Sequence, residues 1–216
     1  MKENGRKRMK IVAIGGNVIK TAWDEIKEIA NRRLFDVLIH NGGSVFHDFQ
    51  RATEDLPGHS YPLDDLLIDY ECNRKASELV WHWIKTGFAP DGSLTQICNR
   101  NGIEVLIFTA LGVDFWQLFN GHWETFAFKT KRDFGVLCNI MKEPFHYICM
   151  GSAVIHPEVF VKVLAVTKPK EFQADVVDFL PNQYRPKTRV AKYGKYHCMS
   201  HKEYLMNWLE DERSKK

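Results

Sequence analysis

Four short apolar runs in this chain each stop on a small-residue or polar turn, and a helix-like segment follows each one. The runs are residues 10–15 (KIVAIG), 35–40 (FDVLIH), 103–108 (IEVLIF) and 145–150 (FHYICM). The turns after them read Gly15-Gly16-Asn17, Asn41-Gly42-Gly43-Ser44, Thr109-Ala110-Leu111-Gly112 and Gly151-Ser152-Ala153. Strand, tight turn and helix in repetition build an open α/β sheet. The expected fold is therefore Rossmann-like, a three-layer α/β/α arrangement with a mostly parallel central sheet. In such sheets ligands gather at the carboxyl ends of the strands, where these turns lie. A nucleotide site at that rim is the first functional expectation.

Size and composition narrow the field. At 216 residues with 44% hydrophobic side chains, the chain can bury a full core. Its net charge of +3 comes from 30 basic and 27 acidic residues. Part of the excess sits at the ends, in Lys2, Arg6, Lys7, Arg8 and Lys10 and in Lys215 and Lys216. These read as solvated tails, because no aromatic stripe accompanies them, and nucleic acid is not the expected partner. The five cysteines are an odd number without a C-x-x-C pair, which suits reduced thiols in a cytoplasm. The apolar runs are too short for a membrane span, and the basic start lacks the apolar stretch of a secretory signal.

The pattern divides into a basic tail at 1–9, one nucleotide-binding domain at 10–199, and a C-terminal helix and tail at 200–216. Helices are expected at 22–33, 45–53, 64–85, 129–142 and 158–166, and from a Ser200 cap onward. A fifth strand is expected at 174–179. Residues 54–62, with two prolines and a glycine, must be a loop. Residues 115–128 carry Phe115, Trp116, Phe119, Trp123, Phe126 and Phe128. Such a run suits core packing or a subunit contact better than a ligand cage.

The turns carry the chemistry. Gly15, Gly16 and Asn17 let backbone approach a phosphate, and Lys20 adds a full charge behind them. The string is neither G-x-G-x-x-G nor a Walker loop, and a plain βα turn with a solvated lysine explains it equally well. Asn41, Gly42 and Gly43 repeat the device, with His47 and Asp48 just beyond as a candidate proton-transfer pair. Gly151 and Ser152 form a third turn, with His156 and Glu158 expected near the same rim. Asp178 ends the fifth strand, where it could take a ribose hydroxyl or an amine. His197 and His201 lie four apart, but without H-E-x-x-H or a cysteine pair no metal site is expected. No G-x-S-x-G elbow is present, which argues against a serine hydrolase.

These same residues resemble a known family. Residues 17–21 (NVIKT), 35–43 (FDVLIHNGG) and His47-Asp48 resemble the cofactor half of deoxyhypusine synthase, which carries N-L-x-S-S, V-D-V-x-V and A-G-G followed by acidic residues. Thr109-Ala110-Leu111 and Asp114 are similar to its A-L-T-D turn. Gly151-Ser152-Ala153-Val154 is similar to its G-G-G-V-P-K. Asp178, Tyr184-Arg185-Pro186 and residues 190–195 (VAKYGK) are similar to its F-D-G-S-D-S-G-A-R-P-x-x-A-V-S-W-G-K. An uncharacterised prokaryotic branch with N-V-I-K, H-D-F, G-S-A-V-x-x-P-E-V-F-x-K and Y-R-P resembles the chain more nearly still. The echoes run in order from about residue 10 to 197.

The resemblance implies an NAD site and a homo-oligomer, a dimer or tetramer, with active sites near subunit contacts. It implies cofactor contacts for Asn17, Thr21, Gly42, Gly43, Gly151 and Asp178. The rim position of Gly16, Asn41 and Ser152 adds those three. The chain also departs from the family. The imine-forming lysine falls at His156, which cannot form that Schiff base. Phe46-His47 stands where the family has an acidic pair, and Asn182-Gln183-Tyr184 replaces D-S-G-A.

Three readings follow. The first is an NAD-dependent, transferase-like enzyme acting on a small, amine-bearing molecule without authentic deoxyhypusine synthesis. In it His156, His47 and Asp48 serve acid–base work, and Lys20 serves as anion ligand or nucleophile. The second is a nucleotide-binding or regulatory protein that has lost catalysis. The third is a phosphosugar-binding isomerase-type domain, since fold alone does not choose function.

Overall fold

A computed structural model describes residues 8–53, 66–109, 123–181 and 183–215, with the backbone alone given for 66–74. Six strands form its centre: β1 (Met9–Ile14), β2 (Val37–Asn41), β3 (Glu104–Phe108), β4 (Phe145–Met150), β5 (Phe172–Asp178) and β6 (Tyr196–Cys198). All five pairings are parallel, in the order β3-β2-β1-β4-β5-β6. The expected α/β sheet is thus observed, and it is fully parallel. The order runs outward from β1 in one direction and from β4 in the other. The topological switch point therefore lies between β1 and β4.

Seven helices accompany the strands among the described residues: α1 (Gly16–Asn31), α2 (Gly42–Ala52), α3 (Leu66–Thr86), α4 (Leu94–Arg100), α5 (Trp123–Ile140), α6 (Ile155–Thr167) and α7 (His201–Ser214). Each sheet face is apolar and is covered, as a parallel sheet requires. Val12, Ile14, Leu38, Ile148 and Val177 face a core shared with α1 to α4 and α7. Ile11, Ala13, Ile39, Tyr147 and Val176 face a second core with α5, α6 and a π-helical turn at Pro186–Val190. A short 3-10 turn at Ala191–Tyr193 leads from there to β6.

Several boundaries differ from the sequence reading. The first helix starts at Gly16 rather than 22, and its regular dihedrals break at Ala22 (φ −148°, ψ 35°). The second begins at Gly42, capped by Asn41. Helix α5 extends back to Trp123, with Phe126 buried and Trp123 and Phe128 exposed. Strand β5 starts at Phe172, and α4 and β6 were not anticipated. The Ser200 cap is present, its side chain accepting from Glu203 N at 3.2 Å. Helix α7 is packed into the first core through Leu205 and Leu209. The anticipated loop at 54–62, the A-L-T-D-like turn from Ala110 onward, the aromatics at 115–122 and Asn182 lie outside the described residues. Among the described residues, no helix is long and apolar enough to cross a membrane.

Candidate nucleotide site at the sheet rim

Strands β1 and β4 both end in glycine because their next residues nearly touch. Gly15 N donates to the Met150 carbonyl at 2.8 Å, and a Cβ on Gly15 would collide with the Gly151 carbonyl oxygen. Gly151 has φ +63°, a conformation that favours glycine. Backbone therefore meets backbone at the switch point, with the His201 ring and Val18 packed against Gly151. Gly15 caps α1 without any side-chain hydrogen bond, and no acidic residue occupies the first turn. Asn17, Lys20 and Thr21 are exposed above it. Thr21 Oγ1 donates to the Asn17 carbonyl at 2.7 Å, which steadies this short turn.

The second βα turn packs directly on the first. A Cβ on Gly16 would stand 3.1 Å from His47 Cδ2 and 3.3 Å from the Gly43 carbonyl carbon. His47 is 8% exposed, and its Nδ1–H donates to Gln50 Oε1 at 3.1 Å. Asn41 Oδ1 accepts from Ser44 N at 2.8 Å and so closes the α2 terminus from within. Gly15 to Asn17, Asn41 to Gly43, His47, Gly151 and Ser152 thus gather around one rim.

Asp48 and His156 take other positions. Asp48 is fully buried. Its carboxylate accepts from Trp23 Nε1 (2.9 Å), Leu94 N (2.7 Å), Thr95 N (3.0 Å) and Thr95 Oγ1 (2.8 Å). It therefore anchors the start of α4 and ties α1 to α2. Burial raises its pKa, against the pull of those four donors. His40 continues the network, with Nδ1 2.8 Å from Ser44 Oγ and Nε2 3.2 Å from Thr95 Oγ1. With Nε2 protonated, Ser44 O–H donates to His40 Nδ1, His40 Nε2–H to Thr95 and Thr95 O–H to Asp48; Ser44 then has no proton left for the Asn41 carbonyl 3.0 Å away. Burial, helped by the Lys129 charge, pushes the His40 pKa down to about 3.

His156 is likewise fully buried, beneath the rim rather than on it. Its Nε2–H donates to the Ile14 carbonyl at 2.9 Å, and burial pushes its pKa down to about 4. Its backbone N donates to Ser152 Oγ at 3.3 Å. The residue pins α6 to the end of β1 and meets no solvent. Asp178 is 5% exposed, and its Oδ1 accepts from Leu180 N at 2.9 Å, closing the turn after β5. Glu158 is half-buried in the first turn of α6 and pairs with Arg185, Arg189 and Lys162.

His201 was missed as a rim residue. It opens α7, is 2% exposed, and lies where a Gly151 side chain would be, its Nε2 3.1 Å from that Cβ position. This Nε2 is buried without a well-formed hydrogen bond, and burial lowers the imidazole pKa. The Ser200 cap marks the helix start in the sequence, but nothing local says which strand end that start will meet. Among the described residues, no group of three or more histidine, cysteine or acidic side chains is placed to hold a metal ion.

No protein-family model matches the sequence, and no curated protein is similar to it. Solved structures do match in fold. A candidate deoxyhypusine synthase from Entamoeba histolytica superposes with a TM-score of 0.55 at 8% identity, over 97% of this chain and 77% of that one. The chain has a deoxyhypusine-synthase-like fold. That fold also matches a candidate LOR/SDH protein from Methanococcus maripaludis S2 (TM-score 0.62, 11% identity, 97% and 63% covered). AgrE, solved with ornithine and NAD+, matches with a TM-score of 0.64 at 12% identity, over 97% of this chain and 31% of AgrE. The chain thus spans under two thirds of the Methanococcus protein and under one third of AgrE. Identities this low speak for the fold alone.

Proposed function

We propose that the rim binds NAD or a related nucleotide, and that the chain is a nucleotide-binding protein on a deoxyhypusine-synthase-like fold. One arrangement carries this reading. Two glycine turns meet at the switch point, with His201 against Gly151 and His47 against Gly16, and the uncapped backbone N–H groups that open α1 lie beside them. Backbone donors that no side chain caps suit a pyrophosphate. The fold relative AgrE, crystallised with NAD+, supports the same choice of ligand.

A second reading, an enzyme acting on a small amine-bearing molecule, draws on His47 beside Gly16 and on exposed Lys20. It loses support from Asp48 and His156, both buried and engaged in holding helices. Deoxyhypusine synthesis itself needs an amine where His156 stands.

Calorimetric titration with NAD+, NADH and ADP-ribose tests the binding reading. A ligand at 100 times its Kd raises stability by about 2.7 kcal/mol, so thermal shift should agree. Asn17→Asp places a carboxylate where phosphate would sit. The same charge favours the free N–H groups of the empty turn, so the fold is not weakened. The expected result is about tenfold weaker nucleotide binding, or 1.4 kcal/mol, with thermal stability of the free protein equal to or slightly above wild type. Silence with all three nucleotides, or equal affinity in the variant, would overturn the reading.

A further inference from the structure

The stretch from the end of β5 to the start of α7 has a composition unlike the rest of the chain. Residues 179–202 hold six lysines and arginines and no aspartate or glutamate, so a segment carrying +6 sits in a chain whose total is +3. The rest of the protein is therefore acidic on balance, and the positive field is concentrated here. Five of those cations, Arg185, Lys187, Arg189, Lys192 and Lys195, fall within eleven residues, and all but half-buried Arg189 are exposed. Glu158 serves both arginines as well as Lys162, so one carboxylate faces three cations. Lys187, Lys192 and Lys195 pair with no carboxylate among the described residues.

Aromatic rings are interleaved with these charges. Tyr184 is 70% exposed and Phe179 52% exposed. Tyr193 is 38% exposed, its inner edge held by Phe160 and Phe172 at ring distances of 6.0 and 5.1 Å. The Lys192 ammonium lies 4.7 Å from the Tyr193 ring centre. Residues 186–190 are anchored on the fold. Pro186 and Val190 are buried, and the π-helical turn between them is a backbone form enriched at functional sites.

We propose that this strip is a docking surface for single-stranded nucleic acid. Cations tracking a backbone beside exposed rings that accept unstacked bases are what such a ligand requires. An acidic peptide would use the charge and leave the tyrosine faces idle, whereas a lipid surface would also bury exposed Phe179 and Tyr184, so vesicle binding is the competing outcome of the test. A two-fold contact between copies through this strip would set its cations against themselves. The proposal is independent of the nucleotide reading of the rim.

Fluorescence anisotropy with a labelled 20-mer of uridine, read from 50 to 200 mM salt, tests it. Binding should weaken with salt, with a log–log slope of about −3 if four phosphates are neutralised. The triple variant Lys187→Glu, Lys192→Glu and Lys195→Glu should bind at least about tenfold more weakly and with a flatter slope. Tyr184→Ala should lose about fivefold or more and keep the wild-type slope. Circular dichroism of each variant establishes that it is folded. No binding at 50 mM salt overturns the proposal, as does a folded triple variant that binds like wild type. Unchanged affinity in Tyr184→Ala also overturns it. So does equal or tighter binding to vesicles containing phosphatidylserine, which would make the strip a membrane-facing surface.

Discussion

His47 and Asp48 are neighbours in sequence and read naturally as a proton-transfer pair. On a helix, consecutive residues point in different directions. His47 turns to Gly16, whereas Asp48 turns to the start of α4. The sequence shows that both residues follow a strand end; it does not show that helix rotation separates them. His156 has a similar history. The helix was expected from 158, but α6 begins at Ile155, so His156 lies inside the first turn and faces the sheet. Asp48→Ala would strip four donors of their acceptor, two of them backbone N–H groups of α4. Buried donors left unpaired cost about 1–3 kcal/mol each, so a loss of about 3 kcal/mol or more is expected by urea unfolding. Nucleotide affinity per folded molecule should be unchanged. A variant as stable as wild type would show that the carboxylate anchors nothing.

Among the elements, the long and strongly patterned ones were legible. The runs at 10–15, 35–40, 103–108 and 145–150 each overlap a strand to within two residues at either end, because an apolar run before a glycine turn is a local signal. Helix α4 has only seven residues and β6 only three, both shorter than the window in which periodicity can be read. The break at Ala22 hid the first turn of α1, since the apolar spacing restarts there. The turn before that break depends on close backbone contact. Gly15→Ala places a Cβ against the Gly151 carbonyl, with backbone on both sides and nothing able to rotate away. A cost of about 3 kcal/mol or more is expected from such overpacking, visible as a lowered urea midpoint. Gly92→Ala, where a Cβ meets nothing within 4 Å, carries only the strain of its positive φ (76°) and should cost less.

At the scale of the molecule, burial of neutral histidines makes stability depend on pH. His40 and His156 are held at about 3 and about 4 in the fold, against about 6.5 in an unfolded chain. Between pH 6.5 and 4 the unfolded chain takes up protons at both sites and the native chain does not. At these two sites stability therefore falls as pH falls, by about 2.7 kcal/mol per pH unit once both unfolded histidines are protonated, while the raised Asp48 and Asp133 carboxyls work in the opposite sense as they take up protons. Asp175, held at about 2 by its hydrogen bonds from His146, Lys195 N and Gln173, adds a further loss below about pH 4. Urea unfolding across pH 7 to 4.5 checks the sign, and a flat profile would contradict neutral burial of the two imidazoles. By itself, the amino-acid sequence determined the repeating strand–turn–helix units, because apolar runs and glycine turns act over a few residues. Only the tertiary structure decided the strand order, which sets Gly15 against Gly151 and buries His156 beneath Ile14. That order comes from pairing and burial between distant segments, a free energy that no short stretch of chain contains.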